Sequence, residues 1–262
     1  MATQIERLDL LRAELRERGR VNTAEASERL GVTSLTLRRD IIALEAEGSA
    51  IRVHGGAIAP TSRSFEPPLA ERLRSNSELK AAMAAKAMQH IRPGMNVALD
   101  FGTRILAFAQ ELRQHPLSLV IAPSSLESAR ILGADPHFRV MIPGGFVGPG
   151  DFNIYGSETE AFFSRHRWDL CVLTVAGLDA DSLLLSDLKP EYASVKRAMY
   201  ESSDAALILA EPRHIGTRSF APIATARPGD VLITSDHSPS EALRALATSG
   251  LKVETVPDSA DD

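Results

Sequence analysis

The sequence predicts an α/β protein in two parts: a small, mostly helical N-terminal module, then a larger domain built on a mostly parallel sheet. Three observations carry this. Short apolar stripes at helical spacing, punctuated by glycine, fill residues 1–58. A Pro- and Ser-rich stretch without periodicity, a linker, follows at 59–70. Over residues 71–258 apolar strands alternate with helices, the pattern of a parallel sheet covered on both faces.

At 262 residues the chain is long enough for two domains, and 44% hydrophobic with 24% charged residues suits a globular protein with a real core. No apolar run approaches the roughly 18–20 residues that span a bilayer, and the start "MATQIERLDLL" lacks a signal peptide's apolar stretch. No membrane partner is expected. A single cysteine, Cys171, excludes an internal disulfide framework and fits a reducing cytoplasm. It lies in "WDLCVLTVAG", which reads as a buried strand, so it is expected to be a packing thiol rather than a nucleophile. Nothing in the motifs calls for a metal or a cofactor. The net charge of −5 argues against a globally basic nucleic-acid binder. Residues 1–58 hold nine Arg and nine Asp or Glu, so any affinity for DNA must come from how the arginines are placed.

In the module, Ile5, Leu8, Leu11 and Leu15 make one face of a helix over about residues 3–18, ended by Gly19. "NTAEASERLG" reads as a second helix, with Asn22 or Thr23 as its cap, Ala26 and Leu30 inward, and Gly31 as its stop. Thr33 is placed to cap a third, in which Leu37, Ile41 and Leu44 are buried and Gly48 is the end. Three short helices with a glycine turn between the second and third describe a helix-turn-helix. With the apolar stripe inward, Ser34 and Arg38 project together from another face and Arg39 flanks them. Such a helix can enter the major groove of double-stranded DNA by its N-terminal end, where a guanidinium forks onto a guanine edge or a phosphate. "IRVH" then alternates apolar and polar before Gly55-Gly56, a β-wing with Arg52 and His54 outward. The candidate DNA contacts are Thr33, Ser34, Thr36, Arg38, Arg39, Arg52 and His54. A helical interaction module with solvated arginines is the bland alternative; the place of the arginine pair and the wing argue against it.

"VTSLTLRRDIIALEAEG" followed by "IRVHGGA" resembles the winged helix-turn-helix of the DeoR family of bacterial transcriptional regulators. Val32, Thr36, Leu37, Arg38, Arg39, Asp40, Arg52, His54, Gly55, Gly56 and Ala57 match that family's signature, while Thr33 replaces a serine and Ile41 a leucine.

Beyond the linker, "ERLRSNSELKAAMAAKAMQHI" reads as a helix. Strand-and-helix pairs follow: "MNVALD" and "RILAFAQEL", "LSLVIAP" and "SLESARIL", "FRVMIPGG" and, after an irregular stretch, "SETEAFFSRH". "WDLCVLTVAG" pairs with "EYASVKRAMYESS", "AALILAEP" leads to a loop, "DVLITSD" pairs with "PSEALRALATSG", and "LKVETV" closes the series. In such folds ligands bind at the C-terminal ends of strands, where helix N-termini present free amides. The residues there are Asp100, Gly102 and Thr103; Ser124 and Ser125; Gly144 and Gly145; Gly177 and Asp179; Glu211 and His214. Carboxylates for hydroxyls, beside hydroxyls and amides for phosphate, suit a small phosphorylated sugar or polyol.

The resemblance extends to this domain. DeoR-type sensor domains are similar in fold to ribose-5-phosphate isomerase and bind sugar phosphates as inducers. Asp100, Gly102, Thr103, Gly144, Gly145, Gly177, Asp179 and Lys196 match their motifs, and "NSELK" matches the entry helix in part through Lys80. Arg104 stands where the family has Thr or Ser, "PSS" replaces Thr-Asn-Ser, and Glu211 and His214 take an Asp and a Lys position. Arg104 could offset the lost lysine charge. The expectation is a DNA-binding repressor of a carbohydrate-utilisation operon. It would act as a homodimer or homotetramer and release operator DNA when the effector binds. The rivals are a sugar-phosphate isomerase with an N-terminal appendage, which would need a carboxylate base and an electrophile, and a protein-binding adaptor. His214 in the lysine position removes the natural electrophile, so no catalysis is expected.

Overall fold

Local chemistry sets the helices of the N-terminal module. The computed structural model describes residues 3–18, 20–47, 49–53, 55–58 and 69–258. Helix α1 spans Gln4–Arg18, strand β1 Arg20–Asn22, α2 Thr23–Leu30 and α3 Ser34–Ala46. Asn22 caps α2 by accepting from the N–H groups of Ala24 and Glu25, and Gly31 closes it at φ 64°. Thr33 caps α3 by accepting from the Thr36 N–H. Strands β2 (Ile51–Val53) and β3 (Gly56–Ile58) form the wing, and β1 adds to it in the order β1-β3-β2.

That third strand is absent from the sequence reading, because "RVN" is too short to show a period. Its signal was Gly56: a Cβ there would overlap the Val21 carbonyl. Leu8, Leu11, Leu15, Val21, Ala26, Leu37, Ile41 and Leu44 form the module's core. Ile5, expected inward, is 71% exposed, and Leu30 is only partly buried. Ile51 and Val53, expected to alternate with outward polar residues, are exposed as well. The reason is that β2 is the edge strand, with all three of its residues exposed, while Gly56 and Ala57 of β3 are buried. Gly19, Gly48 and His54 lie outside the described residues.

The chain divides into two units, Met1–Pro67 and Pro68–Asp262. The second opens with α4 (Leu69–Arg74), whose first two residues fall in the stretch read as linker, and α5 (Ser77–Ala87). One helix was expected over both. The break falls at Asn76, whose left-handed φ of 50° interrupts the helix.

Then come β4 (Asn96–Leu99), α6 (Thr103–Gln114), β5 (Leu119–Pro123), α7 (Leu126–Leu132) and β6 (Phe138–Val140). A hairpin, β7 (Phe146–Val147) with β8 (Ile154–Tyr155), precedes α8 (Ser157–Ser164) and β9 (Trp168–Thr174). Next are β10 (Gly177–Leu178), β11 (Leu184–Asp187), α9 (Pro190–Glu201), β12 (Ser203–Leu209) and β13 (Ala221–Thr225). Last are β14 (Val231–Ser235), α10 (Ser240–Thr248) and β15 (Lys252–Val256).

Seven strands form one parallel sheet in the order β15-β14-β12-β9-β4-β5-β6, while β10, β11 and β13 make a small antiparallel sheet. The parallel strands are apolar on both faces, as a doubly covered sheet requires. Val97, Leu99, Leu170 and Val172 face a core shared with α5, α6 and α7, whereas Ala98, Cys171 and Leu173 face one shared with α8, α9 and α10. Burial pushes the Cys171 thiol up to about 12, in keeping with a packing role. The strand order gives the fold its functional landmark. From β4 the chain winds outward through β5 to β6, then returns and winds the other way from β9 through β12 and β14 to β15. Neighbouring strands β4 and β9 therefore send their following helices to opposite faces. That is a topological switch point, the place at the strands' carboxyl ends where folds of this kind bind ligands.

Candidate functional site

The outward face of α3 is the first site. Its inward face is fixed twice: by Leu37, Ile41 and Leu44, and by Asp40, which is buried and takes a bidentate pair from Arg7 at 2.8 and 3.2 Å. Arg12 pairs with Asp9 and Glu47, and Arg29 with Glu14. The module's carboxylates are thus largely matched to arginines away from α3. Arg38 and Arg39 are exposed and have no hydrogen-bond or ion-pair partner among the described residues. A module with no net charge therefore keeps a local excess of positive charge on one helix face.

Ser34 shares that face, and Thr36 is half-buried, tied to the Thr33 hydroxyl at 2.9 Å. Arg52 is 3.7 Å from Glu45 in a loose, exposed pair. Two residues missed by the sequence reading belong here, Leu35 (62% exposed) and Ile42 (46%). Their signal was that they fall off the inward stripe. Apolar side chains beside arginines suit thymine methyls.

The second site is the switch point. Asp100 follows β4 and is completely buried; its Oδ2 accepts from the Thr174 N–H and hydroxyl, both at 2.8 Å, at the end of β9. Lys196, from α9, is buried too, with Nζ 3.0 Å from Asp100 and 2.7 Å from Asp187. It also donates to the Thr174 carbonyl at 2.8 Å and lies 4.7 Å above the Phe101 ring. Burial alone would lower the lysine's pKa, but the two carboxylates hold it above the ordinary value, so the cation stays charged.

Above this floor α6 begins at Gly102, φ 104°, with no side-chain cap, and Thr103 is buried in its first turn. The start of α7 differs, since Ser125 accepts from the Ser128 N–H at 3.3 Å and caps it. Ser124 donates to the Leu99 carbonyl at 3.4 Å.

Arg104 extends from α6 to His214 Nδ1 at 3.0 Å and the Val175 carbonyl at 3.4 Å. Burial, then the charges of Arg104 and Arg213, push His214 well below its ordinary pKa. A neutral ring accepting from Arg104 is the consequence. Glu211 is buried, and its Oε2 accepts from Asn76 Nδ2 at 3.0 Å. Burial would raise its pKa, yet Arg104, Arg213, Asn76 and Lys80 hold it below the usual range. Lys80, buried on α5, donates to the carbonyls of Arg72 and Ser75, and burial lowers it to about 8.

Not every strand-end residue joins this group. Asp179 is held well below the ordinary carboxylate range by hydrogen bonds from Arg218 and Ser182 in a surface turn. Gly177 allows the close approach of the Thr217–Ser219 backbone, and Gly145, at φ 138°, that of Thr159 and Tyr155. These three positions have a packing account that the sequence did not reveal. Asn76, Lys80, Thr174 and Asp187, by contrast, were not singled out as site residues, because only the chain's path brings them to the strand ends.

A model of the DeoR-like helix-turn-helix domain matches residues 7–63, and one of the DeoR C terminal sensor domain matches residues 75–236. The chain belongs to the DeoR family. DeoR-family proteins are transcriptional regulators rather than enzymes. Among its relatives is the "Putative aga operon transcriptional repressor" of Escherichia coli O157:H7, 26% identical over 95% of this chain and 92% of its own length. The "Glycerol-3-phosphate regulon repressor" of Escherichia coli K12 is 28% identical over 92% and 94%. A solved ribose 5-phosphate isomerase from Methanocaldococcus jannaschii overlays with TM-score 0.40 and 15% identity over 53% of this chain and 55% of its own, a likeness too distant to build on. Among the described residues no helix is long and apolar enough to cross a membrane, and no cluster of side chains could hold a metal ion.

Proposed function

We propose that this DeoR-family protein represses a carbohydrate-utilisation operon in the cytoplasm and leaves its operator when a phosphorylated sugar or polyol occupies the switch point. The observation that carries the effector half is the uncapped start of α6, where Gly102 and Thr103 precede Arg104, whose guanidinium reaches His214 and the Val175 carbonyl. A dianion there meets helix amides, a hydroxyl and a planar cation. Ser125 supports it from the neighbouring strand end: its oxygen accepts the cap bond, which leaves its O–H to donate. Glu211 and the neutral His214 are placed for hydroxyl recognition.

The names of two relatives, an aga operon repressor and a glycerol-3-phosphate regulon repressor, support the same class of role. The DNA half rests on Arg38 and Arg39, and a module without net charge is expected to work as one of a symmetric pair reading two half-sites. Coupling is assigned to α4. This helix opens the sensor unit, and Arg72 pairs with Asp151 of the β7–β8 loop at 2.7 Å while Lys80 holds its last turn. An effector that competes for Glu211 disturbs its bond from Asn76, at the junction of α4 and α5, and biases α4 between two arrangements.

Thermal shifts with sugar phosphates and their unphosphorylated parents test the reading. Stabilisation by the phosphorylated member alone is expected, with its loss in Thr103→Ala/Arg104→Ala. Equal stabilisation by both members of each pair would refute it.

A further inference from the structure

Asn153 presents an anomaly at the end of β5. It is completely buried, yet neither its Oδ1 nor its Nδ2 has a hydrogen-bond partner among the described residues. Its backbone is firmly held. The Gly148 N–H donates to the Asn153 carbonyl at 2.8 Å, and the Ile154 N–H donates to the Ser124 carbonyl at 2.8 Å. Residue 153 also bridges to Ser125. The amide is therefore set in place, and space is kept for it: a Cβ on Gly148 would overlap Asn153 Oδ1. Two further buried oxygens without partners lie at this end of the sheet, Asp100 Oδ1 beyond β4 and Ser128 Oγ in the first turn of α7. Tyr192 connects the two strand ends. Its hydroxyl lies near Gly148, and its ring meets Phe101 edge-on at 4.9 Å. An apolar side chain would fill the space around Asn153 at less cost, since a buried amide without hydrogen bonds forfeits its solvation.

We propose that Asn153 is a specificity-determining contact for the effector, its amide binding adjacent hydroxyls of the sugar or polyol while Asp100 Oδ1 accepts from a neighbouring one. This rests on the effector reading above and narrows it. An amide presents an accepting oxygen beside two donor hydrogens. A vicinal diol, in which each hydroxyl can give and take a hydrogen bond, complements that pair. A phosphate dianion does not, because Asn153 Oδ1 and Asp100 Oδ1 would face oxygens that cannot donate. The phosphate stays at the start of α6, and the polyhydroxy portion extends toward β5. The ligand class is a phosphorylated compound with adjacent free hydroxyls, and a deoxy analogue at those carbons binds worse.

The test compares the full chain with Asn153→Leu, which keeps the volume and removes the hydrogen bonding. Both are titrated, by thermal shift and calorimetry, with inorganic phosphate, glycerol 3-phosphate, ribose 5-phosphate, 2-deoxyribose 5-phosphate and fructose 6-phosphate. The expected result is an equal response of both proteins to inorganic phosphate. For the sugar or polyol phosphate that wild type binds most tightly, Asn153→Leu should lose roughly tenfold in affinity. Equal affinity of the two proteins for that compound overturns the proposal. A wild type that answers inorganic phosphate but none of the organic phosphates also overturns it, with the phosphate cradle left standing. A wild type that answers no probe removes the effector reading itself, and this inference with it. Should Asn153→Leu fail to fold, Asn153→Ser, which keeps one hydroxyl, must show a smaller loss of the same selectivity; no loss overturns the proposal.

Discussion

Two sets of cations divide the labour of this molecule, and they are treated in opposite ways. Arg38 and Arg39 of α3 are exposed and unpaired among the described residues, while the carboxylates around them are matched elsewhere. Lys196 of α9 is buried with two carboxylates and a carbonyl within hydrogen-bond reach. A charge left in water is available to a polyanion and contributes nothing to the fold. A charge buried among partners holds two strand ends and a helix together, so its loss is felt first by the fold. Substitution should therefore separate binding from stability at one site and confound them at the other.

The largest effect is expected at the buried site. Lys196→Met leaves Asp100 and Asp187 without their shared counter-charge and should destabilise the sensor unit by about 3–5 kcal/mol. Urea unfolding of the full chain measures it. A loss below about 1 kcal/mol would mean that the three groups are not coupled as the distances indicate.

At the exposed site the effect moves to binding. Arg38→Ala and Arg39→Ala should each weaken operator binding by roughly 1–3 kcal/mol where the side chain forks onto a base, with the melting temperature unchanged. A phosphate contact would weaken all sequences alike and flatten the salt dependence. Gel-shift titrations at two salt concentrations distinguish these, and unchanged operator affinity in the double variant would end the assignment. Asp40→Asn sharpens the contrast. One residue away from Arg39, it breaks the buried pair with Arg7 and should lower both stability and binding.

The same contrast explains what the sequence could show. Periodic, local features were legible: the caps Asn22 and Thr33, the stripe Leu37-Ile41-Leu44, and the parallel strands from "MNVALD" to "LKVETV". A face built along one element was legible for the same reason, as with the exposed side of α3 that carries Ser34, Arg38 and Arg39. The β7–β8 hairpin and the β10-β11-β13 sheet were not, since β7, β8 and β10 are only two residues long and carry no period. Pairings across long separations were hidden as well. Nothing in "NSELK" announces that Asn76 meets Glu211, and nothing in "GLD" that Asp179 pairs with Arg218.

Lys80 is an intermediate case, a buried lysine whose partners are carbonyls rather than ions, and it predicts a pH dependence. Burial sets its folded value at about 8, below the ordinary 10.5. Between those values the unfolded chain holds a proton that the folded chain has released. Stability from this group therefore rises with pH, by about 1 kcal/mol between roughly pH 7 and pH 9. The melting temperature of wild type should rise relative to that of Lys80→Met as pH rises across that range. Parallel profiles would show that Lys80 does not titrate there.

The smallest effect separates a structural hydroxyl from a ligand-binding one at neighbouring strand ends. Ser125 caps α7, whereas α6 starts at Gly102 without a side-chain cap. Ser125→Ala should cost about 0.5–1 kcal/mol of stability, as loss of an N-cap does. Its remaining O–H donor is one of several groups around the proposed phosphate, so affinity for a sugar phosphate should fall only a few-fold. Gly102→Ala should behave in the opposite way. The φ of 104° strains any side chain, but the added methyl meets only the Thr174 hydroxyl, at 3.8 Å. The strain displaces the first turn of α6, and phosphate binding should fall more than it does in Ser125→Ala. Calorimetric titration of both variants with one sugar phosphate ranks them. If Ser125→Ala lost more affinity than Gly102→Ala, the phosphate would belong to the start of α7, and the two helix starts would have to exchange roles.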